Sequence, residues 1–347
     1  MADASGIGVY TRELMKFFIN NDALDVYALI DKDNGLHPDI NVDKDRVVTT
    51  TVHRFSLRSI LGNNKLLKGF DVYFIPFLAI PPIIFNKTRI VSTVHDLCPV
   101  AMRQFFGPKT SFSYWAIMLL QCALSHRIIA ISKFTRSELR KYYCGLFNKK
   151  VLVVENGIRD IKPADNGFED KPSPEQYGIC VGNVKPHKNI FPLIKYLKNK
   201  GVSNKLYIIG DIDGFSTKYS TEAFDDLPKN IVFTGKVSDQ ELHRYMVNAE
   251  FMIFPSLYEG FGLPMLEAMQ YNLRIFAADI PVFHEISGEA VDYFDPNTFE
   301  NLDSHLKSLN ENINHGLEYN SILNKYTWGR SAEELVGVFC EKDTNSK

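Results

Sequence analysis

The chain is poor in the features that mark several common protein classes. Its 347 residues hold five cysteines, Cys98, Cys122, Cys144, Cys180 and Cys340, odd in number, widely spaced and without a C-x-x-C pair. Neither a disulfide framework nor a zinc site is indicated, and a reducing compartment fits best. The N-terminal stretch MADASGIGVYTREL has no basic region followed by an apolar one, so no secretory signal is expected. Long hydrophobic runs are also missing. Residues 71–85 are interrupted by Pro76, Pro81 and Pro82, and residues 114–124 are too few to cross a bilayer as a helix. Low-complexity tracts and solenoid-period repeats are absent as well.

An excess of one charge is lacking overall, since the formal net charge is -2, which argues against a nucleic-acid partner. The charge is unevenly divided, however. Residues 1–165 hold 22 Lys+Arg against 15 Asp+Glu, and the remainder holds 17 against 26. A basic first half suits an anionic membrane or a phosphate-bearing acceptor, with ordinary scatter of solvated charge as the plainer alternative.

What is present is an alternation of short β-rich runs with amphipathic stretches. The runs are VYALI (26–30), RVVTTTV (46–52), RIVSTV (89–94), RIIAIS (127–132) and KVLVVE (150–155), then YGICVG (177–182), KLYIIG (205–210), NIVFTG (230–235) and EFMIFPS (250–256). Helical patterns lie between them, including TRELMKFFIN (11–20), KFTRSELRKYY (133–143), DQELHRYMVNA (239–249) and LPMLEAMQ (263–270). Strand and helix in turn predict a parallel α/β sheet made twice, and 45% hydrophobic content over this length suffices for two cores. The polar, Pro- and Gly-bearing stretch 161–174 reads as a linker, with the boundary near residue 162.

Ser5-Gly6-Ile7-Gly8 reads as a Gly-rich loop opening a helix, yet only four residues precede it where a Rossmann-like unit has a full strand. Either that strand is minimal, or a complete form of the chain has more residues there.

The densest constellation is FPSLYEGFGLPMLEAM (254–269). A strand end, a Gly-containing turn and Pro264 in the first turn of a helix place the amides of Phe261, Gly262 and Leu263 where a bound anion would meet them. Glu259 and Glu267 would flank a diphosphate and accept hydrogen bonds from hydroxyls on either side, which suits a nucleotide sugar. Taken singly, Glu267 could instead complement a helix N-terminus, and the glycines could make a tight turn. In GNVKPHKNI (182–190), Asn189 is a candidate N-cap, and Lys188 stands where a cation would offset charge on a departing diphosphate. A solvated surface lysine is the alternative. His95-Asp96 follows the strand RIVSTV: His95 could donate to a sugar hydroxyl, and Asp96 could accept from a sugar or an acceptor, or simply form a turn.

Three Asp-x-Asp triplets, at 31–33, 43–45 and 211–213, sit in polar loops and read as loop chemistry, so no catalytic metal is expected. Residues 53–70 mix Arg54, Arg58, Lys65 and Lys68 with large apolar side chains, the composition of a membrane-surface segment or of a core helix with a basic solvent side.

GIGVYTREL (6–14), STVHDL (92–97), IIAISKFTRSEL (128–139), VGNVKPHKN (181–189), FTGKVSDQEL (233–242), PSLYEGFGLPMLEAM (255–269) and Tyr326-Thr327-Trp328 together resemble the family 4 glycosyltransferases, in order and across nearly the whole chain. The resemblance implies a GT-B fold: two Rossmann-like domains facing across a cleft, at 1–162 on the acceptor side with its first strand truncated and 163–325 on the nucleotide-sugar side, with 326–347 as a helix crossing back. It implies retaining, metal-independent transfer without a cofactor. Glu259 would hold donor-sugar hydroxyls, Glu267 the ribose, Phe261 to Leu263 the phosphates, and Lys188 the diphosphate, while His95 would touch the transferred sugar. Gly6 and Gly8 would permit close approach of the first domain's loop, and Gly235 and Val237 would border the base. Asn183 stands where many members have a phosphate-binding Arg, leaving Lys188 and Lys185 to meet the charge.

The variant motifs most resemble bacterial mannosyltransferases of surface polysaccharide assembly. The expected donor is therefore GDP-mannose, and the expected acceptor a glycan or lipid-diphosphate-linked glycan. The expected location is cytoplasmic, at the inner face of the plasma membrane. Two alternatives stand beside this one. A dinucleotide-dependent oxidoreductase would need the G-x-G-x-x-G that GIGVYT does not complete, and a catalytically inactive scaffold would have no need to keep Glu259, Glu267, Lys188 and His95.

Overall fold

The computed structural model describes residues 6–32, 37, 40–56, 58, 60, 66–83, 87–159, 176–211, 227–310 and 316–341. Contacts divide the chain into two compact units, Met1–Gly157 with Tyr326–Lys347, and Ile158–Lys325. The expected boundary at residue 162 and the linker at 161–174 lie outside the described residues, as do Asp33, Asp213 and Lys65.

The first unit opens with helix α1, Gly6–Ile19. Gly6 and Gly8 were expected in a loop ahead of the helix; they lie within its first turn instead. The reason is periodicity: Val9, Tyr10, Leu14 and Phe18 form a buried stripe, so helical packing carries the start back through the glycines. Strands β1 (Ala28–Asp31) and β2 (Val47–Thr50) pair in parallel as a ribbon of their own. Strands β3 (Val72–Ile75), β4 (Arg89–Val94), β5 (Arg127–Ala130) and β6 (Val151–Val153) form a four-stranded parallel sheet in the order β3-β4-β5-β6. Between the ribbon and the β3 edge runs a cavity of ≈ 1490 Å³ lined by residues of both strands, among them Leu29, Ile30, Tyr73 and Phe74. In doubly wound order this is the position of a strand preceding the first helix, and no such strand occurs among the described residues.

β4 is buried almost throughout, as expected of a central parallel strand covered on both faces. Helices α2 (Cys98–Ala101), α3 (Arg103–Phe106), α4 (Pro108–Leu124) and α5 (Lys133–Tyr142) follow β4 and β5. The N-cap of α5 is Ser132, whose hydroxyl accepts from the Thr135 amide at 2.9 Å.

The second unit is one six-stranded parallel sheet in the order β12-β11-β10-β7-β8-β9. Its strands are β7 (Tyr177–Val181), β8 (Lys205–Ile209), β9 (Ile231–Gly235), β10 (Phe251–Phe254), β11 (Arg274–Ala278) and β12 (Asp292–Phe294). The direction of winding reverses between β7 and β10, the strand-end position at which doubly wound sheets bind their ligands. Helix α6 (Ile190–Asn199) follows β7, α7 (Asp239–Asn248) precedes β10, and α8 (Leu263–Met269) follows it. Ser238 and Glu241 close a capping box at the start of α7. Helices α9 (Pro281–Ser287), α10 (Leu302–Lys307) and α11 (Gly316–Leu323) complete the unit.

The chain returns to the first unit in α12 (Trp328–Cys340). This helix buries Trp328, Ala332 and Leu335, packs Phe339 against Phe18 at 5.4 Å between ring centroids, and is tied down where the Ser331 hydroxyl donates to the Glu155 carbonyl at 2.6 Å. The guanidinium of Arg89 reaches the carbonyls of Val338 and Phe339 at the helix's negative end.

Candidate active site

In the second unit, the two central strands deliver the two motifs to one place. β7 ends at Val181 and releases Gly182 to Lys188, while β10 ends at Phe254 and releases Pro255 to Gly262. The loops are joined by a backbone bond from the Leu257 amide to the His187 carbonyl at 2.8 Å. Gly178 permits the close approach, since a Cβ there would run into the ring of Phe251 on β10.

Lys188 lies at the end of a short 3-10 turn, Pro186–Lys188, and its ammonium bonds to Oε1 of Glu259. The same carboxylate oxygen accepts from the Ser256 hydroxyl at 2.8 Å. Lys188 also stands 5.9 Å above the ring of Phe254, where the negative ring face favours a cation. Asn189 occupies the N-cap position of α6, but it does not cap: it is left-handed at φ 59, and its amide donates to the Pro296 carbonyl at 2.7 Å. The tight turn out of Lys188 demands that conformation, and Asn tolerates it.

Gly262 is the N-cap residue of α8, with φ 124, a backbone region closed to ordinary side chains. Leu263 and Pro264 begin the helix, and Phe261 is buried beneath the turn. Glu267 lies one turn in, buried at 4% exposure. Burial pushes its carboxyl above the usual carboxylate range, and the adjacent Arg159 guanidinium opposes that push.

Arg159 is a residue that the sequence did not single out. Its Nε donates to Glu267 Oε1 at 2.6 Å, and its Nη1 donates to Asp239 Oδ1 at 2.8 Å. One guanidinium therefore bridges the helix that follows β10 and the start of α7. No local pattern could have revealed it, because its partners lie 108 and 80 residues away. Ser256 was also missed, although S-x-x-E from Ser256 to Glu259 is a local signal for a hydroxyl paired with a carboxylate.

The remaining donor-side candidates line the same edge. The exposed Asn183 side chain accepts from the Asp211 amide at 3.2 Å, pinning the loop after β7 to the loop after β8. Lys185 immediately precedes the 3-10 turn of Lys188. Gly235 ends β9 with φ 72, its carbonyl accepting from the Gly210 amide at 3.1 Å, and Val237 follows it half-buried.

In the first unit, His95 and Asp96 follow β4. His95 Nε2 lies 2.8 Å from the Pro76 carbonyl, and its ring meets Tyr10 edge-on at 4.8 Å. A carbonyl only accepts, so Nε2 carries the proton, and Nδ1 presents a lone pair. Burial holds the ring neutral, with its pKa pushed down to about 4. The expectation that His95 donates to a sugar hydroxyl is therefore corrected: its proton is spent on Pro76, and it can accept one hydrogen bond. Tyr10 is itself fixed by a 2.9 Å bond between its hydroxyl and that of Thr93. Asp96 serves its turn, accepting from the Cys98 amide at 2.7 Å through Oδ1 and from the Tyr114 hydroxyl at 3.0 Å through its backbone carbonyl.

Among the described residues no group of three or more His, Cys, Asp or Glu is gathered as metal ligands would be, and no helix is long and apolar enough to cross a membrane.

Comparison with known proteins extends this picture to both units. Residues 4–160 match the model "Glycosyltransferase Family 4", and residues 162–324 match "Glycosyl transferases group 1". The O-antigen chain mannosyltransferase RfbU of Salmonella typhimurium is 26% identical over 257 residues, 74% of this chain and 69% of that one. A serotype-specific mannosyltransferase WbdA of Escherichia coli is 30% identical over 272 residues, 70% of this chain but only 32% of the relative's length. Among solved structures, Anabaena Alr3699/HepE in complex with UDP-glucose superposes with a TM-score of 0.71 at 14% identity, covering 97% of each chain. WaaG, a glycosyltransferase involved in lipopolysaccharide biosynthesis, superposes at 0.68 and 12% identity, covering 97% of each. At such identities the structural likeness speaks for the fold, GT-B. The matched families are glycosyltransferases in both units, which displaces the oxidoreductase reading and the inactive-scaffold reading.

Proposed function

Because the chain belongs to the glycosyltransferases, with a family 4 domain followed by a group 1 domain, we propose that it transfers a mannosyl group from GDP-mannose onto a glycan or lipid-diphosphate-linked glycan. The reaction serves surface polysaccharide synthesis on the cytoplasmic side of the membrane. The relatives named as mannosyltransferases of O-antigen chains support the sugar and the pathway class.

One observation carries the reading: the loops leaving the two strands at the winding reversal are locked together by Lys188 and Glu259, eight residues ahead of the buried Glu267. In this proposal the diphosphate sits over the turn Phe261 to Leu263, where the positive end of α8 favours an anion. Lys188, with Lys185 nearby, balances its charge without a metal ion. Glu259 accepts from sugar hydroxyls and Glu267 accepts from the ribose. His95 accepts from a hydroxyl of the transferred sugar, and Asp96 lies on the acceptor side. Gly6 and Gly8 keep the start of α1 thin beside the donor, and Gly235 and Val237 border the base.

Both glutamates thus have binding roles, so neither is assigned to a double displacement. The bond from the anomeric carbon to the phosphate oxygen breaks first, leaving an oxocarbenium-like sugar. The acceptor hydroxyl attacks from the same face, and its proton passes to the departing phosphate oxygen. Configuration is retained with no enzymic nucleophile.

A thermal-shift and calorimetry panel of GDP-mannose, UDP-glucose, UDP-galactose and UDP-N-acetylglucosamine tests the donor, with the largest stabilisation expected for GDP-mannose. Tighter binding of a UDP-sugar would overturn the mannose assignment, and NMR detection of an inverted anomeric product would overturn the mechanism.

A further inference from the structure

We propose that Gln121 is a positioning residue for His95: from the buried face of α4 it holds the turn that follows β3, and with it the Pro76 carbonyl, so that Nε2 stays bonded and Nδ1 is left open to a sugar hydroxyl. The proposal rests on the assignment of His95 to the transferred sugar and adds the residue that fixes its ring.

Gln121 is 0% exposed and lies on the same buried face as Met118 and Cys122. A buried amide is costly unless its polar groups are paired, and here they are. Its Oε1 accepts from the Ala79 amide at 3.0 Å, and its Nε2 donates to the carbonyls of Phe77 at 3.3 Å and Thr93 at 3.4 Å. One side chain therefore ties both ends of the turn 77–79 to β4. Only an amide can do this, because a carboxylate has no donor and an apolar side chain has neither donor nor acceptor.

Both groups that bear on the His95 ring trace back to these bonds. The Pro76 carbonyl, which holds Nε2 at 2.8 Å, directly precedes Phe77. The Tyr10 ring, which meets His95 edge-on, is fixed through its hydroxyl by Thr93, whose carbonyl Gln121 holds. The His95 main chain is held separately, since its carbonyl accepts from the Thr135 hydroxyl at 3.3 Å. Gln121 thus acts on the ring and not on the backbone of His95. With the turn released, the ring is free to rotate about its bond to Cβ, and an N–H then stands where the lone pair of Nδ1 was.

The test compares the full chain, carrying isotope-labelled histidine, with Q121M and L139A. Q121M keeps a side chain of similar length and removes all three bonds, whereas L139A weakens the same core from α5 and leaves them in place. By NMR, the Nε2 proton of wild-type His95 is expected as a slowly exchanging resonance, kept in L139A and lost to exchange with water in Q121M. GDP-mannose affinity by calorimetry is expected to fall about five- to tenfold in Q121M, the worth of one neutral hydrogen bond, and to change less than about twofold in L139A. In a double-mutant cycle, Q121M/H95A is expected to bind GDP-mannose as H95A does, because Gln121 acts through His95. Q121N, whose amide is one methylene short of the turn, is expected to lose the resonance too and takes the place of Q121M should circular dichroism show that variant unfolded. A resonance kept in the Gln121 variants, an equal loss in L139A, or additive losses in the double variant would each overturn the proposal. Failure of the wild type to bind GDP-mannose would strike the donor assignment, and the proton resonance would then decide this one alone.

Discussion

Arg159 compensates Glu267, a carboxylate that burial alone would drive toward its neutral form. R159A leaves Glu267 buried beside Asp239 without a counter-charge, at a cost of about 3 kcal/mol in unfolding free energy. R159K restores little of that, since a single ammonium cannot present two parted N–H donors to both carboxylates. E267A is expected to stay folded and to lose donor affinity roughly 10- to 100-fold by calorimetry, as removal of hydrogen bonds to a charged group would. Donor affinity unchanged in E267A would remove Glu267 from the site.

His95 and His187 are both held neutral by burial, each with a pKa pushed down to about 4 from 6.5. The unfolded chain binds protons at these positions more readily than the folded one between pH 6.5 and 4. Stability is therefore full above pH 6.5 and is lost as pH falls through that window, by about 3 kcal/mol for each ring. Thermal unfolding measured from pH 7.5 down to 4.5 is expected to show the loss, with H95Q showing a shallower slope than wild type.

Among the secondary-structure elements, the decisive contact is β7 against β10, because their adjacency brings the two site loops together. Gly178 has the Phe251 ring where a side chain would lie. G178A is expected to cost about 1–3 kcal/mol by overpacking and to weaken donor binding as well, since both site loops hang from these strands. Circular dichroism melting and calorimetry read the two effects.

The strand runs KLYIIG and EFMIFPS and the helical stretches from Lys133 and Asp239 were legible because local chemistry fixes them: short apolar β-rich runs, and a hydroxyl just ahead of each helix that accepts from the amide three residues on. The start of α1 was misjudged, because two glycines argue for a loop locally, and only the buried stripe from Val9 to Phe18 overrides them. The capping role expected of Asn189 failed for a similar reason: its amide finds Pro296 107 residues away.

At the scale of the molecule, the first unit is discontinuous in the chain, since it recruits its last helix from the far end. L335A is expected to remove about 3 kcal/mol from the first unit, by cavity formation between α12 and its neighbours. The second unit, Ile158–Lys325, does not contain Leu335, so a donor-induced thermal shift is expected to persist in L335A. Loss of that shift would show that the two units do not melt independently.

The amino-acid order by itself determined the α/β class, the paired sheets, the family resemblance and the positions of Glu259, Glu267 and Lys188, because each is written in residues close together along the chain. Only the tertiary structure decided that Lys188 meets Glu259, that Arg159 meets Glu267, and which His95 nitrogen carries the proton. These depend on strand order and burial, which bring together groups that are distant in the chain and determine the charges they carry.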